Sequence, residues 1–186
     1  MVSLSEAPAL ACAVLAVAQW CLMLYAAVHD ARTRTFPNGL AGAFALVCAF
    51  RTVVIAGGRS GLYRSAAGSI APWAFSLSDG LRALGGNAAL ASFAFIALFT
   101  FEFAWRRWRG VSGLGMGDAK FLFGLMLWRP FAGLVSFAAG LVLMAAAGLL
   151  TRRRALPLIP YIVAACVLVG AVGAARAWVG LPPIEM

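Results

Sequence analysis

Gly113-Leu114-Gly115-Met116-Gly117-Asp118-Ala119-Lys120 runs directly into the apolar segment Phe121–Trp128. The alternating glycines read as a turn, and the segment behind them reads as a membrane helix with one carboxylate at its mouth. A carboxylate beside hydrocarbon is costly to keep charged, so Asp118 is a functional-site candidate by default. The chain has only six acidic residues, and one other, Asp30, is similarly placed. Asp30 follows a long apolar run and precedes Arg32, Arg34 and Phe36-Pro37-Asn38. Two isolated acids at two helix ends point to a pair that meets in the fold.

The setting for that pair is hydrocarbon. Of the 186 residues, 63% are hydrophobic, against roughly 45–50% in soluble domains, and the mean hydropathy is +0.93. Uncharged runs cover Ala7–Val28, Ala83–Phe101, Pro130–Thr151 and Ala155–Ala175. Each is near or above the ~18 residues expected of a spanning helix. The fold class predicted is therefore all-α, a polytopic membrane bundle of about six transmembrane helices, with residues 1–186 forming one integral membrane domain. Met1–Glu6 carries no basic stretch, so the first apolar run reads as a retained helix and not a cleaved signal.

The net charge is +9, from fourteen arginines and one lysine against six acids. The arginines cluster at the ends of apolar runs, as membrane topology demands. No basic patch is interleaved with polar surface, so the expected partner is the lipid bilayer and not nucleic acid. Cys12, Cys21, Cys48 and Cys166 all lie inside apolar runs and form no Cys-x-x-Cys pair. They read as small buried hydrophobes, with no disulfide framework, metal site or cofactor implied.

Taken in order, the first helix is expected over Ala7–Val28, followed by His29-Asp30 and an Arg-rich loop. Pro37 suits the first turn of a second helix, predicted over Asn38–Ala56, with Arg51 snorkelling near its far end. Gly57–Gly86 reads as a loop carrying a surface-lying helix, because Ile70–Leu77 is too short to span and Pro72-Trp73 is interfacial in character. A third helix is expected over Asn87–Trp105, closed by Arg106-Arg107-Trp108-Arg109. The fourth starts near Asp118 and stops at Arg129-Pro130. Its 11–13 residues give ~17–20 Å at 1.5 Å each, short of the ~30 Å hydrocarbon core. The fifth is expected over Phe131–Leu150 and the sixth over Leu156–Val179, with Pro157 and Pro160 in its first turns. If the loop after the first helix is cytoplasmic, nine basic residues lie inside (Arg32, Arg34, Arg106, Arg107, Arg109, Lys120 and Arg152 to Arg154) and six outside. That asymmetry favours this orientation and puts both aspartates at the cytoplasmic face.

Each candidate has a plain structural reading beside the functional one. Asp118 could be a helix N-cap, a position Asp favours, or a reactive carboxylate given room by Gly115 and Gly117. Asp30 could be a counter-charge for Arg32 or Arg34. Together they suit a dyad: two carboxylates within hydrogen-bond reach cannot easily both ionise, so one keeps a proton while the other acts as base on water. His29 is the only histidine, which leaves Ser-His-Asp and His-rich metal chemistry poorly supported. Lys120 reads as a snorkelling anchor, a charge that offsets Asp118, or a substrate contact. Glu102 reads as the partner of a basic neighbour, and Asp79 as a loop acid or helix cap.

Gly115-Met116-Gly117-Asp118-Ala119-Lys120 resembles the Gly-x-Gly-Asp-x-Lys motif of the type IV prepilin peptidases, a family of intramembrane aspartic proteases. Asp30-Ala31-Arg32-Thr33-Arg34-Thr35-Phe36-Pro37-Asn38 resembles that family's other motif, an Asp followed by basic residues and a hydrophobic-Pro-Asn. Leu156-Pro157-Leu158-Ile159-Pro160-Tyr161 is similar to a third, looser Pro-rich element. The resemblance implies an aspartic endopeptidase of the bacterial inner membrane. It would cleave basic leaders from prepilin-like substrates at the cytoplasmic face, with Asp30 and Asp118 as the catalytic pair and no metal or other cofactor. Gly115, Gly117, Lys120, Pro37 and Asn38 would bind substrate or support the site. Full-length members add a domain with paired Cys-x-x-Cys motifs that methylates the new N-terminus. This chain carries neither, so methylation is not expected, and the short form resembles the peptidases of tight-adherence (Flp-type) pilus systems. Two alternatives stand beside it. Presenilin-like and signal-peptide-peptidase-like proteases share Gly-x-Gly-Asp but carry a Pro-Ala-Leu element. A non-enzymatic membrane subunit or small transporter would place its acids near the bilayer midplane.

Overall fold

The computed structural model describes residues 7–66, 75–110, 114–152 and 156–178, and among them there are six helices and no strand. They are α1 (Ala7–Thr33), α2 (Asn38–Ala66), α3 (Leu77–Arg109), α4 (Met116–Trp128), α5 (Pro130–Thr151) and α6 (Ile159–Trp178). Among the described residues, four stretches are long and apolar enough to cross a membrane: Leu10–Thr33, Asn38–Gly58, Leu77–Arg109 and Pro130–Thr151. The apolar part of α6, Ile159–Ala175, is shorter. Large apolar side chains stand exposed, among them Phe93, Phe103, Val142, Leu149 and Leu150. A surface this apolar is one that lipid covers, and the protein is a helical membrane protein.

The shortest helix is the centre. Only α4, with 13 residues, buries nearly all round, through Phe121, Leu122, Leu125, Met126 and Leu127. A helix hydrophobic on every face has no outward side and belongs in the middle of a bundle. It packs against α2, α3 and α5, while α1 and α6 close the remaining side against α2 and α5. The Phe44 ring of α2 stacks on Phe121 with centroids 4.9 Å apart, and Phe36 meets the same ring edge-on at 5.7 Å. Gly124 faces the Phe44 ring, where a Cβ would lie 2.5 Å from a ring carbon. Small residues at such crossings let membrane helices approach closely.

The C-terminal end of α4 is finished by side chains of its neighbours. The Leu127 carbonyl accepts from Thr52 Oγ1 at 2.7 Å and from Asn87 Nδ2 at 3.0 Å. Those side chains satisfy a carbonyl that has no partner within the helix. Arg129 then breaks the chain in extended conformation, and Pro130 opens α5, a position that needs no amide.

Several helix ends lie elsewhere than the sequence suggests. The first helix continues past Val28 to Thr33, so Asp30 sits in its last turn and not in a following loop. Arg34, at φ 55, ends α1 in left-handed conformation. The second helix runs to Ala66 and not Ala56, and the third starts at Leu77 and not Asn87. Ser76 caps α3 by accepting from the Asp79 amide at 3.3 Å, which places Asp79 in a first helical turn. The predicted surface helix in Gly57–Gly86 falls largely on residues outside those described. The sixth helix begins at Ile159, leaving Pro157 before it and Pro160 inside its first turn. The Arg51 guanidinium lies over the Trp128 ring at 4.1 Å.

Candidate active site

Both singled-out carboxylates stand at one end of the bundle, and each is held by the free amides of a helix start. The first amides of any helix lack carbonyl partners within it and carry partial positive charge. Asp30, buried in α1, accepts from the Ile159 amide that opens α6, at 3.3 Å. Asp118 is the third residue of α4, not its cap, and its Oδ2 accepts from the Gly115 amide at 3.0 Å. Because Gly115 itself caps α4 and has no side chain, only the return half of a capping box exists here.

The segments bearing the two acids are pressed together. A Cβ on Gly117 would lie 2.8 Å from Phe36 Cβ, so only glycine permits this approach. Lys120 reaches from α4 to α2 and donates to Asn38 Oδ1 at 2.6 Å. It is an interhelical tie at an exposed edge, not a simple anchor. Pro37 precedes α2, and its carbonyl accepts from the Ala41 amide at 3.0 Å, starting that helix. Phe36, Pro37 and Asn38 thus form a strap linking the end of α1 to the start of α4, and Phe36 packs on Phe121.

Electrostatics link the acids too. Asp118 lies outside the four spanning stretches, at the mouth of the short central helix. Its carboxyl is pushed up to about 6, first by burial and further by the negative charge of Asp30, with the Gly115 amide opposing. Below that value Asp118 holds a proton, and above it the carboxyl is ionised. The arrangement therefore places a carboxyl that exchanges its proton near neutral pH in the neighbourhood of a second carboxyl, a setting suited to acid–base work.

Three contributions were not apparent from residue types. The Ile159 amide holds Asp30, yet a backbone N–H leaves no mark in a sequence. Phe36 sets the approach of the two motifs. Glu102, which belongs to neither motif, accepts from the Leu114 amide at 2.8 Å and from Arg106 Nε at 2.6 Å, so it anchors the turn that delivers Gly115 and Asp118. Glu102→Ala should expose the Leu114 amide and raise its hydrogen-exchange rate by about tenfold or more, the loss of one charge-assisted bond. Glu102→Gln, which keeps an acceptor, should change it little. An unchanged Leu114 rate in Glu102→Ala would remove this anchoring role.

His29 bonds locally, its Nδ1 lying 3.0 Å from both Thr33 Oγ1 and the Thr35 carbonyl oxygen, and so belongs to the end of α1. Cys48 is buried and Cys166 half-buried, while Cys21 is exposed; all four cysteines are free thiols. No group of three or more His, Cys, Asp or Glu suited to a metal ion occurs among the described residues. No family model matches this chain, and no match was found to a curated protein or to a solved structure.

Proposed function

We propose that this protein is an intramembrane aspartic endopeptidase that removes the leader of Flp-like type IV prepilins at the cytoplasmic face of a bacterial inner membrane. The observation that carries the reading is the joint placement of Asp30 and Asp118. Residues 88 positions apart in the chain are brought to one end of the bundle, each carboxylate on a helix-start amide, with the intervening motif residues in contact. The positive-inside asymmetry of Arg32, Arg34, Arg106, Arg107, Arg109 and Lys120 supports a cytoplasmic position for that end.

The chemistry follows from the pair. The ionised carboxylate takes a proton from a water as that water's oxygen bonds to the scissile carbonyl carbon. The protonated partner hydrogen-bonds the carbonyl oxygen and neutralises the charge growing there. Collapse of the tetrahedral intermediate breaks the C–N bond, and the amine leaves with a proton from the dyad. The products are a leader carboxylate and a new N-terminal amine, and the dyad regains one shared proton. A substrate helix lying over the site excludes water, which favours the single-proton state further.

The position of Asp118 has a consequence for stability with a definite sign. Its folded-state value, about 6, exceeds the ordinary 3.8, so the fold prefers the protonated form. That contribution is fully present below pH 3.8 and lost as pH rises through 6. The melting temperature of the wild type should therefore fall across this window relative to Asp118→Asn, which does not titrate there. Parallel curves for the two proteins would contradict the raised position of this half-buried carboxyl.

Co-expression with a prepilin of the Flp type, followed by N-terminal sequencing, tests the functional reading. A new N-terminus just before the apolar helix of the prepilin is expected. An intact leader in the presence of well-inserted protein would reject it.

A further inference from the structure

The opposite end of the bundle holds a second polar cluster that leader cleavage does not use. Arg51 donates from Nη1 to Gln19 Oε1 at 2.5 Å and lies over the Trp128 ring at 4.1 Å. Arg129 lies over the same ring at 5.3 Å. One indole thus gathers two guanidinium groups, and neither pairs with a carboxylate among the described residues. Arg82 and Asp79, by contrast, lie 3.9 Å apart as an ion pair. Two buried donors, Arg51 Nε and Trp128 Nε1, have no hydrogen-bond partner among those residues. Positive charge without a carboxylate partner is costly beside apolar helices, and two guanidinium groups meeting on one ring suit an anion.

A cavity of about 320 Å³ adjoins them, walled by α1, α5, α6 and the α4–α5 junction. Trp128 and Arg129 line it together with Trp20, Ser136, Gly170 and Gly173. The charged end is therefore continuous with an apolar trough of small residues on α6. A planar guanidinium matches phosphate geometry and binds it through paired N–H donors. A free phosphate would fill the charged end and leave the trough empty, whereas a lipid would fill both.

We propose that this cavity binds an anionic phospholipid. Its phosphodiester would be held by Arg129, which lines the cavity, with Arg51 neutralised across the shared ring, and an acyl chain would lie along the α6 wall. The proposal is independent of the peptidase reading. Native mass spectrometry of the purified full-length protein, titrated with phosphatidylglycerol, phosphatidylcholine or inorganic phosphate, tests it. One phosphatidylglycerol should be retained, and Arg129→Gln should weaken its binding by about tenfold, the scale of one charged hydrogen-bond set. Arg129→Lys should keep more of the binding than Arg129→Gln, which distinguishes lost charge from a damaged fold. Arg82→Gln, at an exposed arginine already paired with Asp79, should leave retention unchanged. Equal retention by wild type and Arg129→Gln would overturn the site, as would equal losses in Arg82→Gln and Arg129→Gln. Equal binding of phosphatidylcholine would overturn the anionic preference, and displacement of lipid by inorganic phosphate would assign the site to a free anion instead.

Discussion

Asp30→Asn and Asp118→Asn are each expected to lower leader cleavage by about 10³-fold or more while leaving the protein inserted and folded, because the two groups divide one acid–base task. An amide keeps the size and an acceptor oxygen of a carboxylate. The substituted side chain at position 118 would still accept from the Gly115 amide, and the one at position 30 from the Ile159 amide, so both helix starts remain satisfied. Neither side-chain amide can take a proton from water or give one to a carbonyl. The double variant should be little worse than either single one, since removing one partner already removes the unit. A purely structural role for Asp118 makes the opposite statement: asparagine at the third helical position would preserve the α4 start and the activity. Rates of single-turnover cleavage for the four proteins, compared at matched expression, separate these outcomes. A variant that cuts at near the wild-type rate removes its residue from the catalytic pair.

Gly117→Val should have the next largest effect, through geometry alone. The strap Phe36-Pro37-Asn38 and the start of α4 touch at Gly117, where an added Cβ would sit 2.8 Å from Phe36 Cβ. Phe36 cannot yield readily, since its ring is packed on Phe121 in the core. The start of α4 must therefore shift, carrying Asp118 away from Asp30. A displacement near ~1 Å costs about 10²-fold in an oriented reaction. The loss should appear in kcat with the protein still monodisperse in detergent, and Gly117→Ala should fall between wild type and the valine variant. Full activity in Gly117→Val would mean that the close approach is incidental.

How much of this is legible in the sequence differs between levels. The apolar runs show the membrane bundle, and Arg129-Pro130 shows the early end of α4, because charge and a missing amide are local properties. Helix ends are hidden where tertiary packing overrides local preference. Gly57 and Gly80 read as loop residues, yet both serve close helix approach: a Cβ on Gly57 would meet the Phe75 ring, and one on Gly80 the Val53 carbonyl. His29-Asp30-Ala31-Arg32-Thr33 reads as a polar loop, but Thr33 Oγ1 donates to the His29 carbonyl and the helix runs on. In the site, Asp30 and Asp118 stand out because acidic side chains are rare in this chain. The Ile159 amide does not, and Glu102 gives no hint of its hold on Leu114. At the far end, Arg51 and Arg129 each read as an ordinary topology signal. Their convergence on Trp128 is a product of the fold, since residues 51 and 129 meet only once α2 packs along α4.

The most direct measurement is the intact mass of a purified Flp-type prepilin incubated with this protein in liposomes, free of any host peptidase. The account predicts loss of the leader with wild-type protein, no loss with Asp30→Asn or Asp118→Asn, and no sensitivity to metal chelators. A prepilin that keeps its leader with the wild type, or loses it equally with Asp118→Asn, would contradict the account.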